Sequence, residues 1–148
     1  MNKNQLALLR SSAAAIARVA DAASASFYHR LFEDYPALRP LFRNEMGGQG
    51  KRLMQMIDTA VFALDRPAML HPLLRQLGQR HVGYGVQPEH YPMISAAMLD
   101  TLAESLGDAF TADVREAWEA FLDLASRTML DGAREAPAPL PWESPPAT

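Results

Sequence analysis

The sequence predicts a single all-α domain, and three observations carry that expectation. β-Branched residues are few, and no segment alternates apolar and polar residues with the period of two that a half-buried strand needs. Apolar residues recur instead at intervals of three and four, the spacing that puts side chains on one face of a helix. Proline and glycine then divide the chain into stretches of ordinary helix length. With 148 residues the chain can bury one continuous core, and it is too short for a second large domain.

Taken in order, Ala13, Ile16, Ala20, Ala23 and Phe27 step by three and four and the pattern continues through Leu31, with a break between two helices expected in the region of Asp21. Pro36 stands where a short helix would start, and Pro40 limits its length. Gly47, Gly48 and Gly50 follow a long glycine-free stretch and mark a loop, before a helix with Gln49, Leu53, Met56, Ala60 and Ala63 on one face. Asp65 is the expected cap of the next helix and Pro67 fits its first turn. Leu70, Leu73, Leu74, Leu77 and His81 form an apolar stripe along that helix, which Gly83, Gly85 and Pro88 end. Tyr91, Ile94, Met98 and Leu102 line a further helix, terminated by Gly107. Thr111 is a candidate N-cap for the last, which bears Val114, Ala117, Trp118, Phe121 and Ala125 and stops at Gly132. The sum is seven or eight helices in residues 1–133, followed by a proline-rich, disordered tail over 134–148.

Composition excludes several function classes. Net charge is −3, and the 14 lysines and arginines are scattered, so no basic stripe offers itself to nucleic acid or to an anionic membrane. No cysteine is present, which removes disulfides, thiolate nucleophiles, iron–sulfur clusters and Cys-ligated zinc. Any metal must use His, carboxylate or Met. Ala23-Ser24-Ala25 mimics a cleavage site, but Arg10, Arg18 and Asp21 interrupt the preceding apolar stretch, so a signal peptide is not expected. No run approaches the ~18 apolar residues of a membrane span. A cytoplasmic location is the resulting expectation.

His81 ends a helix on its buried stripe, so its imidazole points inward. Two readings are open: a core histidine satisfied by a backbone carbonyl, or an axial metal ligand. His29, His71 and His90 lie off the clearest stripes and read as surface or loop residues. Gln49 lies one turn before Leu53, so both can face one cavity, although capping or solvation also explains a glutamine there. Tyr28 shares a face with Leu31 and Phe32, and a buried tyrosine calls for a hydroxyl partner. Gly48-Gln49-Gly50-Lys51 is faintly phosphate-binding, but Glu45 stands at the first glycine position of a P-loop and Arg52 at its Ser/Thr position. No hydrolytic or dinucleotide motif is present.

Taken together, Phe27-Tyr28, Leu31-Phe32, Pro36, Arg39-Pro40-Leu41-Phe42, Gln49, Leu53, Arg80-His81, Gly85 and His90-Tyr91-Pro92 resemble the bacterial single-domain globins related to flavohaemoglobin haem domains. The resemblance runs from about Leu6 to Met129. It implies a globin fold, a three-over-three helical sandwich around one non-covalent haem b with one iron per chain. It implies that His81 is the proximal iron ligand and that Phe42 packs on the haem face. Tyr28, Gln49 and Leu53 would form the distal pocket, with Tyr28 and Gln49 stabilising the bound ligand. Tyr91 resembles the tyrosine that joins a glutamate behind the proximal histidine in this family. The position matching that glutamate falls near Gly132 and Ala133, with Asp131 and Glu135 close but out of register, so the push on the iron should be weak unless one of them substitutes.

The implied function is reversible oxygen binding. The enzymatic alternative is nitric oxide dioxygenation, which would need a separate reductase, and a third reading is a haem-free interaction module. Partners would be oxygen, nitric oxide or another diatomic ligand, with no nucleic acid and no membrane, in a monomer or homodimer.

Overall fold

The computed structural model describes residues 2–41, 46–83 and 85–135, the side chains of 46–51 excepted. Six α-helices follow one another: α1 (Lys3–Ala17), α2 (Ala20–Asp34), α3 (Met46–Phe62), α4 (Pro67–Gly83), α5 (His90–Leu106) and α6 (Ala112–Glu135). Short 3-10 turns occupy Pro36–Leu41, Ala63–Asp65 and Gly107–Ala109, and the described residues contain no strand. None of the described helices is long and apolar enough to cross a membrane.

Local chemistry explains most helix ends. The Gln5 backbone N–H donates to the Asn2 side chain at 2.8 Å, and the Gln5 side chain accepts from the Asn2 backbone at 3.2 Å, a reciprocal capping box that starts α1. The break between α1 and α2 falls at Arg18 and Val19, slightly before Asp21. Pro36 opens its 3-10 turn and Pro67 opens α4, each where a missing N–H is harmless. Gly107 ends α5 with φ of 55°, a left-handed conformation that suits glycine. The Thr111 hydroxyl accepts from the Val114 N–H at 3.3 Å and so caps α6 as expected.

Three expectations are corrected. Gly47, Gly48 and Gly50 lie inside α3, whose first residue is Met46, rather than in a loop ahead of it. A glycine disfavours a helix by only about 1 kcal/mol, which the residues that follow can offset. Asp65 does not cap α4, because its carboxylate accepts from Arg10 across the fold at 3.1 Å and Arg66 intervenes before Pro67. Gly132 does not stop α6, which continues to Glu135. Its role is close packing, since a Cβ there would collide with the backbone of Arg75 in α4. The boundary expected after residue 133 thus falls inside α6, and residues 136–148 of the expected tail lie outside the described residues.

The main packing pairs are α4 with α6, α2 with α3 and with α5, and α1 with α6. The pairings of α1 and α4 with α6 and of α3 with α2 set α1, α3 and α4 across α2, α5 and α6, the three-over-three sandwich, while α2 and α5 pack side by side in one layer. Leu9, Leu31, Leu38, Leu102 and Trp118 are its most completely buried large side chains. The indole N–H of Trp118 donates to the Ser12 hydroxyl at 2.8 Å, and that hydroxyl donates to the Leu8 carbonyl at 2.6 Å. A polar group of the core is thereby satisfied between α1 and α6. While α4 leans on α6 and α3 on α2, α3 and α4 barely meet among the described residues. The two helices that carry the strongest candidate residues therefore leave their facing sides largely uncovered by one another.

Candidate functional site

His81 sits in the last turn of α4, with its ring turned back over the helix. Its Nδ1 is 2.7 Å from the Leu77 carbonyl, four residues earlier. A carbonyl can only accept, so Nδ1 carries the proton and Nε2 carries the lone pair. Burial pushes the imidazole pKa below its ordinary value, and the bond to Leu77, which favours the protonated ring, offsets part of that effect. The side chain is therefore a neutral imidazole at pH 7 in the tautomer that a metal needs at Nε2. The two readings left open by the sequence are compatible: the carbonyl holds one nitrogen and thereby orients the other.

Tyr91, from the first turn of α5, lies beside His81 with ring centroids 6.4 Å apart and planes inclined by 32°. It is buried, and burial pushes its phenol up to about 12. The two α6 acids that stand close in sequence to the family's glutamate position have arginine partners. Asp131 accepts from Arg134 at 3.2 Å, and Glu135 pairs with Arg75.

Tyr28 is buried on α2 between Phe27, edge-on with centroids 5.0 Å apart, and Phe32, stacked at 6.1 Å. Burial pushes its phenol up to about 12, and the positive charge of Arg52 on α3 pulls weakly the other way. The hydroxyl thus remains a proton donor throughout the physiological range. Leu53, next along α3, packs against the core. It also lines a cavity of about 10 Å³ with Ile16, Phe27, Ile57, Met98 and Trp118, room for about one water-sized guest. Gln49 has its backbone in α3, one turn before Leu53, and its side chain lies outside the described residues, as does all of Phe42.

The structure therefore brings His81 and Tyr91 together at one place, and at the α2–α3 interface it sets Leu53 beside Phe27 on one cavity and Tyr28 within the influence of Arg52. Sequence reasoning missed Arg52, which entered only as a mismatch to a P-loop, although its position three residues after Gln49 puts both on one helix face. It also missed the Leu77 carbonyl, which the i, i−4 geometry of a helix could have supplied. His29 and His71 are exposed, in keeping with surface roles, whereas His90 is half-buried and opens α5, its Nδ1 accepting from the Gln87 N–H at 2.9 Å.

The donor set bears on what could bind. Among the described residues no group of three His, Cys, Asp or Glu could hold a bare metal ion. One oriented imidazole suits a metal that brings most of its ligands with it, as in a macrocycle.

The two buried phenols lead to a pH prediction. Each binds its proton more tightly in the folded state, so their contribution to stability is present in full below pH 10.0 and is lost as pH rises toward about 12. An alkaline tyrosinate titration is expected to hold back two of the four tyrosines until the chain unfolds. Full ionisation of all four in the folded protein would contradict this placement.

Comparison with known proteins fits this geometry. The model of the globin family matches residues 25–129. A flavohemoprotein of Xylella fastidiosa is 33% identical over 126 residues, covering 82% of this chain and 31% of its own length. A flavohemoprotein of Rhodopirellula baltica is 34% identical over 105 residues, 69% of this chain and 26% of its own. The chain thus spans about a third or less of these curated relatives. Among solved structures, an engineered carbene transferase from Rhodothermus marinus, provisionally described as a nitric oxide dioxygenase, superposes with a TM-score of 0.81 at 27% identity, covering 91% of this chain and 94% of its own. A bacterial globin from Campylobacter jejuni has the same TM-score, 0.81, at 23% identity over 90% of this chain and 97% of its own.

Proposed function

The chain belongs to the globin family, and from that premise we propose that it holds one haem b non-covalently through His81 and binds oxygen reversibly. The observation that carries the reading is the orientation of His81, with Nδ1 on the Leu77 carbonyl and Nε2 left as the lone-pair nitrogen on the helix that α3 barely meets. Haem, when bound, would supply the ferrous iron at which a diatomic ligand attaches and leaves.

The residues of the chain have distinct tasks in this reading. His81 donates its Nε2 lone pair, and Leu77 fixes the ring orientation. Tyr28 offers a hydroxyl proton to a ligand that gains negative charge on binding, and burial keeps that proton in place. Gln49 is the second candidate donor. Leu53 supplies apolar lining to the ligand's pocket, and Phe42 is assigned, by the resemblance, to packing on the haem face. A cytoplasmic monomer or homodimer completes the reading.

The flavohemoprotein relatives favour a second reading, nitric oxide dioxygenation. Nitric oxide and oxygen combine to nitrate, and each nitrate formed requires one electron, which a reductase must supply. Absorption spectra of the ferric, ferrous and oxygenated protein test the first reading: a Soret band and a reversible oxygenated form are expected. Purification without a Soret band, and none after adding hemin, would instead establish a haem-free module. Stopped-flow mixing of the oxygenated form with nitric oxide tests the second, and failure to recover stoichiometric nitrate excludes it.

A further inference from the structure

The most extensive helix contact in the fold, α4 on α6, is made backbone to backbone at two glycines. A Cβ at Gly78 would overlap the carbonyl of Met129, and a Cβ at Gly132 would overlap the carbonyl of Arg75. Each helix thus fills the space that a side chain of the other would need, and the antiparallel register is fixed at two points, Gly78 against Met129 and Arg75 against Gly132. Leu77, immediately before Gly78, carries the carbonyl that receives the His81 Nδ1 proton. The same register places Glu135 on Arg75, which lies six residues before His81, about 9 Å away along the axis of α4. Asp131 is held by Arg134 on its own helix.

We propose that the Gly78–Gly132 crossing is a positioning device for His81: it holds the Leu77–His81 turn rigidly against α6, with Nδ1 on a peptide carbonyl, while Glu135 is engaged by Arg75 and Asp131 by Arg134. The metal ligand is then polarised by a carbonyl and not by a carboxylate, which makes it a weaker electron donor. The proposal rests on the reading of His81 as the axial ligand.

The test is the iron–histidine stretching frequency of the ferrous, unliganded full-length protein after loading with haem, read by resonance Raman, with thermal melting alongside. Glu135→Gln and Asp131→Asn are expected to leave the frequency where it is. A downward shift with either would show a carboxylate behind the ring and overturn the proposal. Gly78→Ala, which forces the helices apart beside Leu77, is expected to lower the frequency beyond the wild-type line width, and Gly132→Ala to do so less, because it acts farther from His81. A lower melting temperature with an unchanged frequency would reduce the crossing to a structural contact and also overturn the proposal. If Gly78→Ala fails to fold, Gly132→Ala at the other end of the crossing reads the same frequency and decides whether the crossing positions His81, an unchanged frequency overturning the proposal. A wild-type protein with no iron–histidine mode, or one that keeps it in His81→Gly, would overturn the ligand assignment and with it the premise of the proposal, and is distinguishable from every outcome above.

Discussion

Replacing His81 by alanine is expected to abolish axial ligation and to weaken haem retention by more than the roughly 100-fold that loss of a ligand's outer hydrogen-bond partner costs. The expectation follows from the donor inventory: His29 and His71 are exposed, His90 spends its Nδ1 on the Gln87 N–H, and no Cys is available. The substitution also leaves a space at the end of α4 that free imidazole can enter. The measurement is the rate of haem transfer to an excess of apo-acceptor, followed in the Soret region with and without added imidazole. Faster transfer that imidazole slows is the expected pattern. A variant with an ordinary five-coordinate ferrous spectrum and unchanged transfer would show that the ligand lies elsewhere.

That His81 could be singled out at all reflects helix periodicity. Leu70, Leu74, Leu77 and His81 recur on one face, and a helix buries one face whatever its tertiary partners are. The same logic made the apolar faces of α5 and α6, the Thr111 cap and the Gly107 terminus readable, because each depends on residues within a turn of one another. Glycine was less readable, because one residue type serves two purposes. Gly107 ends a helix through a positive φ, whereas Gly132 continues one and admits the backbone of another. Nothing local separates the two. The difference lies in Arg75, more than fifty residues away in the chain. Asp65 illustrates the same limit, since a capping residue and an ion-pair partner look alike until Arg10 is placed beside it.

The site divides along the same line. The Leu77 carbonyl is a local partner of His81 and was derivable from helix geometry. The influence of Arg52 on Tyr28 acts between helices, through a packing of α2 on α3 that periodicity does not specify. Tyr91 and His81 lie on different helices too, and the periodicity of neither helix specifies their 6.4 Å ring separation. Function was legible only through the joint pattern of these residues, because each alone has an ordinary structural explanation.

Tyr28→Phe is expected to accelerate oxygen release from the haem-loaded protein by about 10- to 100-fold, with little effect on haem retention. The magnitude is that of one hydrogen bond to a charged acceptor, about 1.5–3 kcal/mol. Removing only the hydroxyl keeps the ring between Phe27 and Phe32, so packing changes little and the fold should tolerate the variant. The pH behaviour sharpens the expectation. Because burial holds the phenol up to about 12, the wild-type off-rate should be flat across the physiological range and rise only as pH approaches that value, while the phenylalanine variant should show no such rise. Stopped-flow displacement of oxygen by carbon monoxide gives the off-rate directly. Arg52→Gln removes the positive charge that opposes the upward shift, so the alkaline rise should move to still higher pH in that variant. An off-rate unchanged by Tyr28→Phe would take Tyr28 out of ligand stabilisation and leave Gln49, one turn before Leu53 on α3, as the remaining candidate donor.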